Sequence, residues 1–175
     1  MKILVRFPAA LAVVACGLGA TSASAQTSSV DTTGSTTIIR PVTIEQSSGL
    51  AFGTIVRPTS GSSTITIGTD SDTATKTGSA ILLRGTQSRA KYTIRGEGGE
   101  TVSVSMPATF NMTRTGGSET LAVALTRNPS GNVTLGNALG AEGTAALNVG
   151  GSFAVTDTTA TVAYQGTFTV SVAYN

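Results

Sequence analysis

Short runs in which apolar and polar residues alternate fill most of this chain, the period-two signature of strands with one buried face. The pattern is clearest at the C-terminus, where Phe168, Val170, Val172 and Tyr174 alternate with Thr167, Thr169, Ser171 and Ala173. A half-buried terminal strand is predicted there. Upstream, Leu147, Val149, Phe153 and Val155 keep one parity across Gly150-Gly151, which predicts a strand with a bulge or a close backbone approach at the glycines. Tyr92 and Ile94, then Val102, Val104 and Met106, flank Gly96-Glu97-Gly98-Gly99-Glu100, a hairpin signal in which Gly supplies positive φ. Further strands are expected over residues 36–44, 50–56, 63–67, 80–83 and 121–125, each bounded by turn residues. About nine or ten short, regularly spaced strands argue for an all-β sandwich or barrel. No repeat of fixed period emerges, which disfavours a solenoid.

The first 25 residues follow a different logic. Lys2 and Arg6 form a basic start, Phe7 to Ala20 is dominated by Ala, Leu and Val, and Ala23-Ser24-Ala25 closes the segment. This is the form of a secretory signal peptide, cut before Gln26 because Ala23 and Ala25 suit the shallow pockets of a signal peptidase. The apolar run is shorter than the roughly 20 residues a membrane-spanning helix needs, so no transmembrane anchor is expected after processing. Val13-Val14-Ala15-Cys16 also has the form of a lipobox, with Cys16 as the less favoured alternative attachment site. The expected organisation is a signal at 1–25, a flexible polar extension at 26–35 and one β-domain at 36–175. The expected location is the periplasm, the outer surface or the medium.

Processing changes the charge. Losing Lys2 and Arg6 from 11 basic residues leaves a count equal to the 9 acidic ones, so no basic excess remains to bind nucleic acid through counterion release. The same cut removes Cys16, the single cysteine, so the domain holds itself without disulfides. At about 150 residues it buries roughly 68–70% of its unfolded surface, enough for one core.

The chain contains no histidine, which removes the usual general base, the usual partner of a nucleophilic serine and the commonest zinc ligand. Carboxylates remain. Glu97 and Glu100 are close in sequence but are expected in a solvated turn. Asp70-Ser71-Asp72 places oxygens at alternate positions, yet Lys76 and Ile81 occupy places a calcium loop needs for ligands. Asn111-Met112-Thr113 and Asn132-Val133-Thr134 match a glycosylation acceptor that arises often by chance. Arg57, Arg84, Arg89, Arg95, Arg114 and Arg127 are scattered, and spacing does not gather them on one face. We therefore expect no catalytic residue, no metal and no cofactor, and a protein that is not an enzyme.

Six stretches carry a resemblance: Pro41-Val42-Thr43-Ile44, residues 50–55 (Leu-Ala-Phe-Gly-Thr-Ile), residues 90–96 (Ala-Lys-Tyr-Thr-Ile-Arg-Gly), Val104-Ser105-Met106-Pro107, residues 147–151 (Leu-Asn-Val-Gly-Gly) and Gly166 to Asn175. In this order they resemble a family of proteobacterial secreted domains of unknown function, similar to spore-coat-U-like and chaperone-usher pilin subunits. The resemblance implies an immunoglobulin-like sandwich lacking its final strand, with Phe168, Val170, Val172 and Tyr174 lining an apolar groove. It implies two partners: a periplasmic chaperone that fills the groove, then the N-terminal extension of another copy, joined head to tail. That is strand addition, in which main-chain bonds give affinity and alternate side chains fill pockets. As donor residues the extension offers Val30, with Ile38 following. Two functions stay open: a noncatalytic fimbria-like structural subunit, or a self-complete binding module for a glycan or matrix ligand.

Overall fold

The computed structural model describes residues 26–175, so the expected signal segment, with Ala23, Ala25 and Cys16, lies outside the described residues. Residues up to Thr36 form a unit separate from residues 37–175. The described part of that first unit has no regular secondary structure, and Val30 in it is 87% exposed.

The described residues contain fifteen strands and no helix. In chain order they are β1 (Thr43–Ser48), β2 (Ala51–Phe52), β3 (Ile55–Val56), β4 (Ser62–Ile67), β5 (Ala74–Thr77), β6 (Ile81–Leu82), β7 (Gln87–Ser88), β8 (Ala90–Glu97), β9 (Thr101–Ser105), β10 (Thr109–Arg114), β11 (Thr120–Asn128), β12 (Val133–Thr134), β13 (Glu142–Thr156), β14 (Tyr164–Gln165) and β15 (Ser171–Tyr174). The all-β expectation holds, with more and shorter pieces than nine or ten. The run expected at 50–56 is split into β2 and β3 at Gly53, whose φ of 78° takes it out of strand geometry. The strand expected from residue 36 begins only at Thr43.

An eight-stranded antiparallel sheet runs β1-β8-β13-β11-β10-β14, with β4 and β5 joined through β13. A second sheet runs β12-β9-β15, and two ribbons, β2-β7 and β3-β6, complete the other layer. The axis is β13. Its first half pairs with β8 from Glu142↔Glu97 to Val149↔Ala90, and its second half pairs with β4 from Gly151↔Ile67 to Thr156↔Ser62.

Two clusters of buried side chains lie along that axis. Ala90, Ile94, Val102, Val104, Val133, Leu135, Leu147 and Val149 form one. Phe52, Ile65, Ile67, Ala74, Ala80, Val123, Phe153 and Val155 form the other, with Phe52 and Phe153 edge to face at 4.9 Å. Leu50 and Leu125 pack against both. The glycines of β13 mark a close approach rather than a bulge: a Cβ on Gly150 would fall on the Ile67 carbonyl oxygen, and one on Gly151 would lie 3.0 Å from Val123.

The hairpin expected at residues 96–100 is not one. β8 pairs with β1 and β13, whereas β9 pairs with β12 and β15, so this turn carries the chain from one sheet to the other. Gly99 does supply the positive φ, 78°. Alternation alone marks two strands and a turn; it does not say whether they pair or face each other across a core.

Candidate functional site

The terminal strand is only half a strand of the sheet. β15 pairs with β9 from Ser171↔Ser105 to Tyr174↔Val102, and among the described residues its other edge has no strand bonded to it. Among the same residues β1 pairs only with β8. These two edge strands lie near each other. Two hydrogen bonds tie the N-terminal part of the domain to its C-terminal segment: Arg57 donates to the Thr159 carbonyl at 2.8 Å, and the Tyr174 hydroxyl donates to the Arg40 carbonyl at 2.8 Å.

Phe168, Val170, Val172 and Tyr174, the residues expected to line a groove, pack on the first core cluster. None is buried, and each intervening residue is exposed. Phe168 and Val170 lie before the ladder of β15 begins, and Phe168 stacks on Phe110 at 5.0 Å. Val42, Ile44, Leu50, Met106, Met112 and Leu121 are half-buried in the same way. Beside Arg57 lies a cavity of about 750 Å³, bordered by Leu50 to Ile55, Met112, Leu121 and the segment from Thr159 to Tyr164. There, burial first and then Glu119 raise the Tyr164 phenol above its ordinary value.

Around Arg40 lies the chemistry that spacing did not reveal. Glu97, expected in a solvated turn, is 3% exposed. Its Oε2 accepts from the Arg40 amide at 3.2 Å and from Arg40 Nη1 at 3.0 Å, and its Oε1 accepts from the Gly140 amide. Arg40 Nη2 donates to the Gly140 carbonyl at 3.2 Å. The Gly140 amide, then Arg40, hold the Glu97 carboxyl below its ordinary 4.5 against the opposing effect of burial. The Tyr174 hydroxyl accepts from the Glu97 amide at 2.7 Å while donating to Arg40, so its donor and one acceptor site are both used. A side chain on Gly96 would take the place of that hydroxyl. Arg40 was not among the arginines singled out by sequence; the one signal for it is its position beside Pro41, just ahead of β1.

The other candidates stay apart. Glu100 takes no part in this cluster. Asp72 binds Lys91 Nζ at 2.6 Å and lies 3.7 Å from Arg89 Nε, a surface pairing whose Lys91 bond above all lowers the Asp72 carboxyl. Arg95 pairs with Glu142. Asn111 and Asn132 are exposed. Val30 and Ile38, the donor candidates, are 87% and 90% exposed, and Ile38 lies outside every strand. They are separated by an even number of positions, so an extended chain would turn both to one face.

No curated protein and no solved structure matches this chain. The model of one family, described as a domain of unknown function (DUF4402), matches residues 42–174, from just before β1 to Tyr174 at the end of β15. With the whole β-domain covered, the chain belongs to the DUF4402 family.

Proposed function

We propose that this protein is a noncatalytic exported structural subunit whose sandwich is completed by a strand from another chain. The observation that carries the reading is the pair of strand edges without partners among the described residues, on β1 and β15, with Val42, Ile44, Phe168, Val170, Val172 and Tyr174 beside them only half-buried against the core. An added strand would bond to the open edges and fill the row with alternate side chains.

The occupant is the N-terminal extension of a second copy, preceded during export by a periplasmic chaperone. Length supports this. Residues 26–39, extended at about 3.3 Å each, reach roughly 45 Å, more than the six residues of β1 or the four of β15 span by the same rise. The face holding Val30 and Ile38 also holds Ser28, Thr32, Gly34 and Thr36, all uncharged, while Asp31 falls on the other face. Because donor and acceptor are different parts of the surface, the contact is heterologous and builds an open chain.

The cavity of about 750 Å³ favours one other reading, a self-complete module holding a small apolar ligand, since pockets of roughly 300–1,000 Å³ suit such ligands. Size-exclusion chromatography and a thermal melt of the purified chain from Gln26 to Asn175, compared with the chain starting at Thr36, separate the two. Heat-resistant ladders that vanish with residues 26–35 support the fibre subunit. A cooperative monomer in both cases overturns it and directs ligand screening to the cavity.

A further inference from the structure

We infer that the cavity beside Arg57 is a binding site for an amphiphile with one apolar chain and a carboxylate head, which Arg57 holds. The inference rests on the second reading above, in which the cavity takes a small ligand, and gives that ligand its chemical class.

The local chain explains why an arginine borders this space. Ile55 and Val56 form β3, bonded to β6 by the pairs Ile55↔Leu82 and Val56↔Ile81. Alternation puts Val56 outward, where it is 41% exposed, and turns Ile55 to the core. Arg57 comes two positions after Ile55, on the same parity, and both residues border the cavity. Pro58, fully buried, then holds the backbone behind it with its fixed φ.

The rest of the lining is apolar or neutral. Phe52, Phe153 and Val155 are buried, and Leu50, Met112 and Leu121 are half-buried around the same space. An apolar chain that displaces water from these side chains is favoured by the area it covers. The volume of about 750 Å³ is that of about 25 water molecules at roughly 30 Å³ each, room for a chain of several carbons.

Charge selects the head. Arg57 is the one charged residue among those bordering the cavity, and no carboxylate borders it. Glu119, which accepts from the Ala160 amide at 3.3 Å, is outside the lining. Arg57 Nη1 donates to the Thr159 carbonyl at 2.8 Å, which holds the guanidinium at the cavity's border. A guanidinium carries five N–H donors. Arg57 makes no ion pair among the described residues, so its fork is open to a carboxylate bound through both oxygens. A cationic head is repelled there, and a neutral head forgoes the charge-assisted bonds. General attraction for anions does not account for such binding, because the chain from Gln26 onward carries as many acidic as basic residues.

Calorimetric titration of the chain from Gln26 to Asn175 with decanoate, decanol and decyltrimethylammonium, each below its micelle concentration, tests the assignment. The three share a chain and differ in the head. Decanoate should bind about tenfold or more tighter than decanol, and the cation should not bind measurably. Arg57→Gln keeps a donor for the Thr159 carbonyl and removes the charge; it should weaken decanoate about tenfold or more and leave decanol as it was. Ala160→Phe, which adds a ring at the border of the cavity, should abolish binding of both.

Equal affinity for decanoate and decanol, or a preference that survives Arg57→Gln, overturns the carboxylate head while leaving the apolar-ligand reading intact. No binding by any of the three overturns both. Decanoate binding unchanged in Ala160→Phe puts the amphiphile elsewhere on the protein and overturns the site. Should Ala160→Phe fail to fold, Met112→Trp fills the cavity from another of its half-buried positions and carries the same comparison.

Discussion

β13 and the C-terminal segment carry nearly the same sequence pattern and meet different fates. In β13, Leu147, Val149, Phe153 and Val155 are at most 6% exposed, and the strand is bonded to β8 and then β4 along one side and to β11 over Asn148–Ser152 on the other. In the terminal segment, Phe168, Val170, Val172 and Tyr174 point inward just as regularly and all remain half-exposed, with one edge open. Period-two alternation tells which side chains share a face. It does not tell whether anything covers that face. A central strand and an edge strand look alike until the neighbouring layers are in place.

The largest test of this contrast is truncation of equivalent residues. Leu147→Ala should cost roughly 2–5 kcal/mol in urea unfolding, because the surrounding strands cannot close the cavity. Gly150→Ala comes next: its new methyl meets the Ile67 carbonyl oxygen, and an overpacked site of this kind costs about 1–3 kcal/mol.

Val172→Ala, in the isolated monomer, should cost less than about 1.5 kcal/mol, since part of the side chain is in water already. The same substitution should weaken the assembled ladder more than it weakens the monomer, read by the temperature at which ladders dissociate. Equal effects in the two would mean that nothing covers the row on assembly, and the contrast with β13 would then be one of edge fraying.

Acid gives a smaller effect with a definite sign. The folded-state pKa of Glu97 lies below its ordinary 4.5, so its stabilising contribution is fully present above that value and is lost as pH falls through the lowered one. Melting temperature should therefore decline below pH about 4.5, and Glu97→Gln should flatten the decline. Asp72, shifted in the same direction by Lys91 and Arg89, leaves a residual slope, reduced by solvent screening. The smallest effect belongs to Ile81→Ser, on the outward face of β6 where Ile81 is 55% exposed, and should stay within about 0.5 kcal/mol.

Much of the fold was legible because burial imposes a period on strands. The inward parity of β13, the strand at residues 62–67 and the inward row of the terminal segment follow from side chains that must leave water. Pieces of two residues, such as β7 and β12, were not legible, since a window that short carries no period. Nor was the exchange of partners at residues 96–100, because a turn between sheets and a turn within one use the same glycines. Of the site, the half-buried row of the terminal segment was readable from its alternation. Glu97 and Arg40 were not, because 57 positions of chain separate them and their pairing exists only once β8 has carried Glu97 beside Gly140.

The sequence by itself determined the class of the domain, the parity of its longer strands and a composition without histidine, each a consequence of local periodicity or of residue identity. Tertiary structure alone decided which strands pair and which edges stay open. It also decided that a glutamate in a glycine-rich turn is buried beside an arginine and a tyrosine. The physical reason is that pairing and burial depend on what the rest of the chain brings alongside, and desolvation acts on a neighbourhood, which no stretch of residues specifies alone.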